Sequence, residues 1–276
     1  MSASDAQNMS DRPQPGEAIA ALEDYLARLP DRDGLVSAIA EGREIAHIVA
    51  PLGLPDRLLA AVHAYPLYRD GFLSNKSLQN NILKDFSRFI IGLDQLNQFS
   101  LPEHWQPGEA LAVQQSEALR KMLLAVVSDV RLVLVRIAEQ LYRLRVAKTA
   151  PVETREALAL EAREIYAALA NRLGVWQLKW ELEDLAFRYL EPDHYLEIAR
   201  TLKETRGDRE GFIDRVKRSL ERELDSQGIE ATISGRPKHI YSIWRKMQRK
   251  DRGIESLFDI RAVRILVDDI GDCYAA

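Results

Sequence analysis

The hydrophobic period of this chain changes once, near residue 228, and that change divides what the chain can fold into. From residue 17 to about 227 the apolar side chains return every three or four positions. Leu158, Ala162, Ile165, Leu169 and Leu173 form one stripe of a helix, and Gly174 follows directly, where a helix C-terminus favours glycine. A second stripe of Leu178, Leu182, Leu185 and Tyr189 stops before Pro192. The stretch 130–144 is apolar on more than one side (Val133, Leu134, Val135, Ile137, Leu141), which predicts a buried central helix. Asp193 and Asp208 are placed to cap two further helices, the second ending before Gly228.

Beyond that point Ile229, Ala231 and Ile233 alternate with Glu230, Thr232 and Ser234, the period of a strand. The Gly235-Arg236-Pro237 triplet reads as a turn into a helix with Pro237 near its first position. Ile240, Ile243, Trp244 and Met247 form the apolar face of that helix, and Gly253 breaks it. Residues 258–267 (FDIRAVRILV), rich in β-branched side chains, read as a second strand. The predicted class is mainly α: an all-helical region, then the β-α-β start of an α/β domain. Residues 271–276 read as the first turn of a helix with no continuation, so a longer natural protein is expected. Residues 1–16 are polar and proline-punctuated, with too little apolar surface to offset ordering entropy, and are expected to be disordered.

Composition excludes more than it assigns. A formal net charge of −4 gives the whole chain no electrostatic reason to sit on nucleic acid or anionic lipid. The single cysteine, Cys273, excludes an internal disulfide and a cysteine-rich zinc site. No apolar run approaches a membrane span, and the first residues lack the order of a secretory signal. The expected location is cytoplasmic.

Charge is concentrated in one place. Arg236, Lys238, Arg245, Lys246, Arg249, Lys250 and Arg252 fall in 236–252 against Asp251 alone. Lys238, Ser242 and Lys246 stand at i, i+4 and i+8, away from the apolar face, and Arg236 lies just ahead of the helix. A phosphate at that helix start would meet free backbone N–H groups, two ammonium groups and a hydroxyl. The same residues also suit a solvated basic face or a contact with an RNA backbone.

Two strings carry a resemblance. GRPKHIYSIWRKM at 235–247, followed by FDIRAVRILV, resembles the opening of the synthetase domain of RelA/SpoT proteins, a nucleotidyltransferase-like fold. NRLGVWQLKWELEDLAFRYL at 171–190 resembles the segment that joins their helical HD-type hydrolase domain to it. Weaker similarity extends from about residue 20. The layout this implies is a disordered 1–16, an HD-type pseudo-hydrolase domain at 17–195, linking helices at 196–227 and the truncated start of a (p)ppGpp synthetase domain at 228–276. The implied reaction moves pyrophosphate from ATP to the 3′-hydroxyl of GTP or GDP, in the stringent response.

By that resemblance Arg236 lies against adenine, and Lys238, Ser242 and Lys246 hold the ATP phosphates. Lys246 and Asp259 take part in catalysis, with Asp259 ligating Mg²⁺. These types suit the chemistry, because phosphoryl transfer is catalysed mainly by positioning and by cationic stabilisation. The family's second acidic residue and guanine loop fall outside this chain, so the chain alone is expected to make no product. The implied partners are ATP, GTP or GDP, with ribosome and tRNA contacted through regions absent here and no membrane.

The family's hydrolase domain binds Mn²⁺ through two histidines and two aspartates. The first histidine aligns with Glu41, the His-Asp pair with His63-Ala64 and the acidic pair after it with Leu67-Tyr68. The later aspartate aligns with Glu139, and the histidine and asparagine beyond it with Tyr142 and Arg143. Too few donors remain for Mn²⁺. The expectation is a RelA-like, monofunctional protein with a degenerate hydrolase domain. The alternative is a regulatory helical module that touches a protein partner, with 236–252 on RNA.

Overall fold

The computed structural model describes residues 16–79, 81–84, 86–97, 129–204, 206–237, 239–250, 253 and 261–276. Apart from Gly16, the segment expected to be disordered lies outside them, as do Lys238 and Asp259. Two compact units divide the chain, Met1–Leu182 and Glu183–Ala276.

In the first unit the order is α1 (Glu17–Leu26), α2 (Leu35–Val49), α3 (Asp56–Arg69), α4 (Asn81–Lys84), α5 (Ser87–Asn97) and α6 (Val130–Val146). Then α7 (Val152–Glu161) passes through a π-helical turn (Ala162–Tyr166) into α8 (Ala167–Arg172), and α9 (Trp176–Leu190) begins. The period-3.6 stripe from Leu158 to Leu173 is therefore real, although the helix widens by one residue in its middle. Its end matches the glycine signal: Gly174 sits at φ +74°. Val175 N–H donates to the Ala170 carbonyl at 3.0 Å and Gly174 N–H to the Asn171 carbonyl at 3.3 Å, which satisfies two terminal acceptors.

Two helices are buried on nearly all sides. One is α6, as its sequence predicts, with Leu132, Val133, Val135, Ile137, Ala138, Leu141 and Leu144 in the core. The other is α3, where Leu58 and every residue from Ala60 to Leu67 are buried, so its pattern shows no polar face. It packs closely on α2. A Cβ added at Gly42 would lie 2.0 Å from the His63 carbonyl oxygen, so only glycine permits this approach.

The second unit takes the rest of α9, then α10 (Pro192–Glu204), α11 (Arg206–Ser226), β1 (Ala231–Pro237), α12 (Ile240–Lys250), β2 (Arg261–Val267) and α13 (Ile270–Ala275). β1 and β2 pair antiparallel, with Ala231 opposite Val267 and Ile233 opposite Ile265. Those inward residues, with Val263, cover Leu220, Leu224 and Ile229. The alternation over 229–234 thus describes the buried face correctly.

Three boundaries differ from the sequence reading. Gly235-Arg236-Pro237 is not a turn but the end of β1, because β2 offers it partners; Pro237 stands opposite Arg261 at the last rung, where a missing N–H is tolerated. Asp193 does not cap its helix; Pro192 opens it, and Asp193 sits in the first turn, where the helix dipole favours a carboxylate. Asp208 likewise falls inside α11, which already begins at Arg206.

Replacing Gly42 by alanine is expected to force α2 and α3 apart and to destabilise the first unit by about 3 kcal/mol, read as a lower urea midpoint. An unchanged midpoint would contradict the close packing described here.

Candidate functional site

The end of α3 carries a charged cluster. Arg69 donates from Nη1 to Glu41 Oε1 at 2.8 Å and from Nη2 to Glu41 Oε2 at 3.1 Å, a two-pronged pair. Its Nη1 also reaches Glu139 Oε1 at 3.1 Å, and its Nε reaches Asp70 Oδ1 at 2.8 Å. The other oxygen of Glu139 accepts from Arg136. Glu139 has 4% of its side chain exposed, so both of its oxygens are neutralised inside the protein. Burial pulls Arg69 down, but the hydrogen bonds and charges of Glu41 and Asp70 outweigh it and hold its pKa above the ordinary value. Tyr65, one turn before Arg69, is buried with no partner for its hydroxyl. Burial, then the Glu139 charge, pushes its pKa up, so it stays neutral.

This geometry does not bring together all the residues aligned with the hydrolase ligands. His63 is buried with its Nε2 unpartnered, and burial, then the Arg43 charge, holds its pKa below the ordinary value. It belongs to the core beside α2, not to the Glu41–Glu139 cluster. The residues of α3 that face Glu139 are Tyr65 and Arg69, two positions further on. Glu41 and Glu139 therefore meet a guanidinium from α3, not an imidazole. Neither Glu41 nor Glu139 is available to Mn²⁺ while Arg69 joins them, and among the described residues no three His, Cys, Asp or Glu side chains converge as a metal site. The donor set does not fit the metal. Tyr142 lies half-buried near Glu41, its pKa raised first by burial, and Arg143 donates to Gln140 at 3.3 Å.

The signal for Arg69 was present in the sequence. A helix as apolar as α3 that closes on an arginine must supply that charge with a partner. The partners lie 28 and 70 residues away, where no local pattern points.

In the second unit the basic segment is only partly brought together. Arg236 lies in β1 opposite Ala262, and Lys238 and Asp259 lie outside the described residues. Ser242 and Lys246, both half-buried, share one side of α12. The opposite side is packed: Ile243 is buried with Phe187 and Ile198, and Ile240, Tyr241, Trp244 and Met247 pack around them. Trp244 is therefore a core residue, with its ring 4.8 Å from that of Phe187. The helix start also differs from expectation. The Tyr241 N–H already donates to Asp184 Oδ1 at 2.9 Å, so it is not free for a phosphate. No helix among the described residues is long and apolar enough to cross a membrane.

The helical unit is of the HD-domain class, whose family model matches residues 18–176, more than half of the chain. A second model, the region found in RelA/SpoT proteins, matches 235–276. The chain belongs to the RelA/SpoT family. It is 43% identical over 235 residues to a GTP pyrophosphokinase of Photobacterium angustum and 41% identical to one of Escherichia coli K12, covering 85% of this chain and 32% of each relative. It is also 36% identical over 239 residues to a probable guanosine-3′,5′-bis(diphosphate) 3′-pyrophosphohydrolase of Synechocystis, covering 86% of this chain and 30% of the relative. The chain thus spans about a third of the length of the curated relatives it matches.

Replacing Arg69 by methionine is expected to leave Glu41 half-buried without its counter-charge and to cost about 2 kcal/mol. Adding Glu41→Gln should recover most of that loss in urea denaturation; no loss in the single variant would contradict the pairing.

Proposed function

We propose that this chain carries the ATP side of a GTP pyrophosphokinase active site, together with an HD domain that no longer hydrolyses (p)ppGpp. The reaction is transfer of pyrophosphate from ATP to the 3′-hydroxyl of GTP or GDP, in the cytoplasm. Support for the synthetase half comes from the match at 235–276 and from α12, whose apolar side is packed away and whose other side carries Ser242 and Lys246. In this reading Lys238, Ser242 and Lys246 hold the phosphates by charge and hydrogen bond, and Arg236 contacts adenine. Asp259 holds Mg²⁺, which neutralises charge on the phosphates. With Tyr241 N–H engaged by Asp184, phosphate binding falls chiefly to side chains rather than to the bare helix start.

The relatives' names point both ways, to synthesis and to hydrolysis. The reading that hydrolysis is lost is supported by the Arg69 guanidinium bound to Glu41 and Glu139. Activating water for removal of a 3′-pyrophosphate needs a metal with open positions, and this donor set is already spent on arginine.

The test has two arms. The 276-residue chain with ppGpp and Mn²⁺ should release no GDP, and with ATP, GTP and Mg²⁺ it should form no (p)ppGpp. In full-length protein, Lys246→Ala or Asp259→Ala should lower synthesis by about a hundredfold or more, the usual effect of losing one charge-stabilising group. GDP release from the chain, or full synthesis by either variant, would overturn the corresponding half.

A further inference from the structure

The first turn of α12 is held by a residue that the nucleotide reading does not include. Asp184, on α9, accepts from the Tyr241 N–H through Oδ1 at 2.9 Å, and its Oδ2 lies 3.1 Å from His239 Nδ1. Tyr241 is the second residue of the helix, and its N–H is one of those that a helix leaves without an internal partner. The residue ahead of the helix is His239, which has no short oxygen-bearing side chain to serve as a cap. Asp184 supplies the missing cap from another helix, with a charge that suits the dipole.

The same stretch of α9 supplies an apolar anchor one turn on. Phe187 packs its ring 5.6 Å from Tyr241 and 4.8 Å from Trp244. An apolar contact alone is non-directional and tolerates rotation or sliding of a helix. A hydrogen bond to one named N–H does not. A one-residue slip of α12 would turn it by about 100° and move it about 1.5 Å, which would carry Ser242 and Lys246 off the side they share.

We infer that Asp184 is a positioning residue: it fixes the axial register and rotation of α12 and thereby aims Ser242 and Lys246 at the phosphates. The role rests on the nucleotide reading above, because without a phosphate ligand there is nothing to aim at.

Hydrogen–deuterium exchange of the chain, with and without Mg²⁺-ATP, tests both parts separately. In Asp184→Ala, exchange over 240–243 should quicken about fivefold to tenfold while α6 stays unchanged, and Asp184→Asn, which keeps one acceptor, should fall between. In the unaltered chain Mg²⁺-ATP should slow exchange across α12, and Asp184→Ala should raise the ATP concentration needed for half of that effect about tenfold. Unchanged exchange over 240–243 would overturn the anchor. Faster exchange with an unchanged ATP midpoint would overturn the positioning role. No protection by ATP in the unaltered chain would sink the nucleotide reading, and the positioning role with it, while the nucleotide-free comparison still decides the anchor.

Discussion

A half-buried guanidinium between two carboxylates organises the first unit. Arg69 closes α3, Glu41 lies on α2 and Glu139 on α6, so one cation ties together three helices. Removing Arg69 would take from Glu41 its two-pronged partner in a region only partly open to water. A divalent ion could cross-link the same helices in a metal-dependent relative of this fold. Here the cation is covalently part of the chain, always present and always protonated. It supplies the structural half of what a metal gives, cohesion among acidic groups. It cannot supply the chemical half, because guanidinium has no open coordination position and does not acidify water. The Arg136 bond to Glu139 completes the neutralisation.

The second unit solves a different problem with similar means. A helix meant to present polar groups on one side must be held firmly by the other. Phe187, Ile198 and Ile243 make the apolar contact, and Asp184 adds a directional bond at the helix start. The antiparallel β1–β2 pair, laid over α11, leads the chain into and away from that helix.

What the sequence revealed follows from how local each cause is. The stripe ending at Gly174 and the alternation at 229–234 depend on neighbours within a few residues, and both describe the buried faces correctly. The role of Pro237 depends on Arg261, a strand partner supplied later in the chain, so the local sequence resembles a turn where a strand continues. The Arg69 cluster is hidden from the sequence for the same kind of reason. On a helix buried on nearly all sides the apolar pattern does not mark one face, and only the contacts with Glu41 and Glu139 show which residues meet them. Asp184 carries no local signal of its role, because its partner stands 57 residues away.

The most direct measurement is a Mn²⁺ titration of the chain followed by electron paramagnetic resonance of the free ion. If Arg69 has taken the metal's place, the free signal should rise in proportion to added Mn²⁺, with no stoichiometric binding, and the unfolding midpoint should not change with chelator. Saturable binding of one equivalent, lost in Glu41→Gln or Glu139→Gln, would contradict the replacement of the metal by arginine.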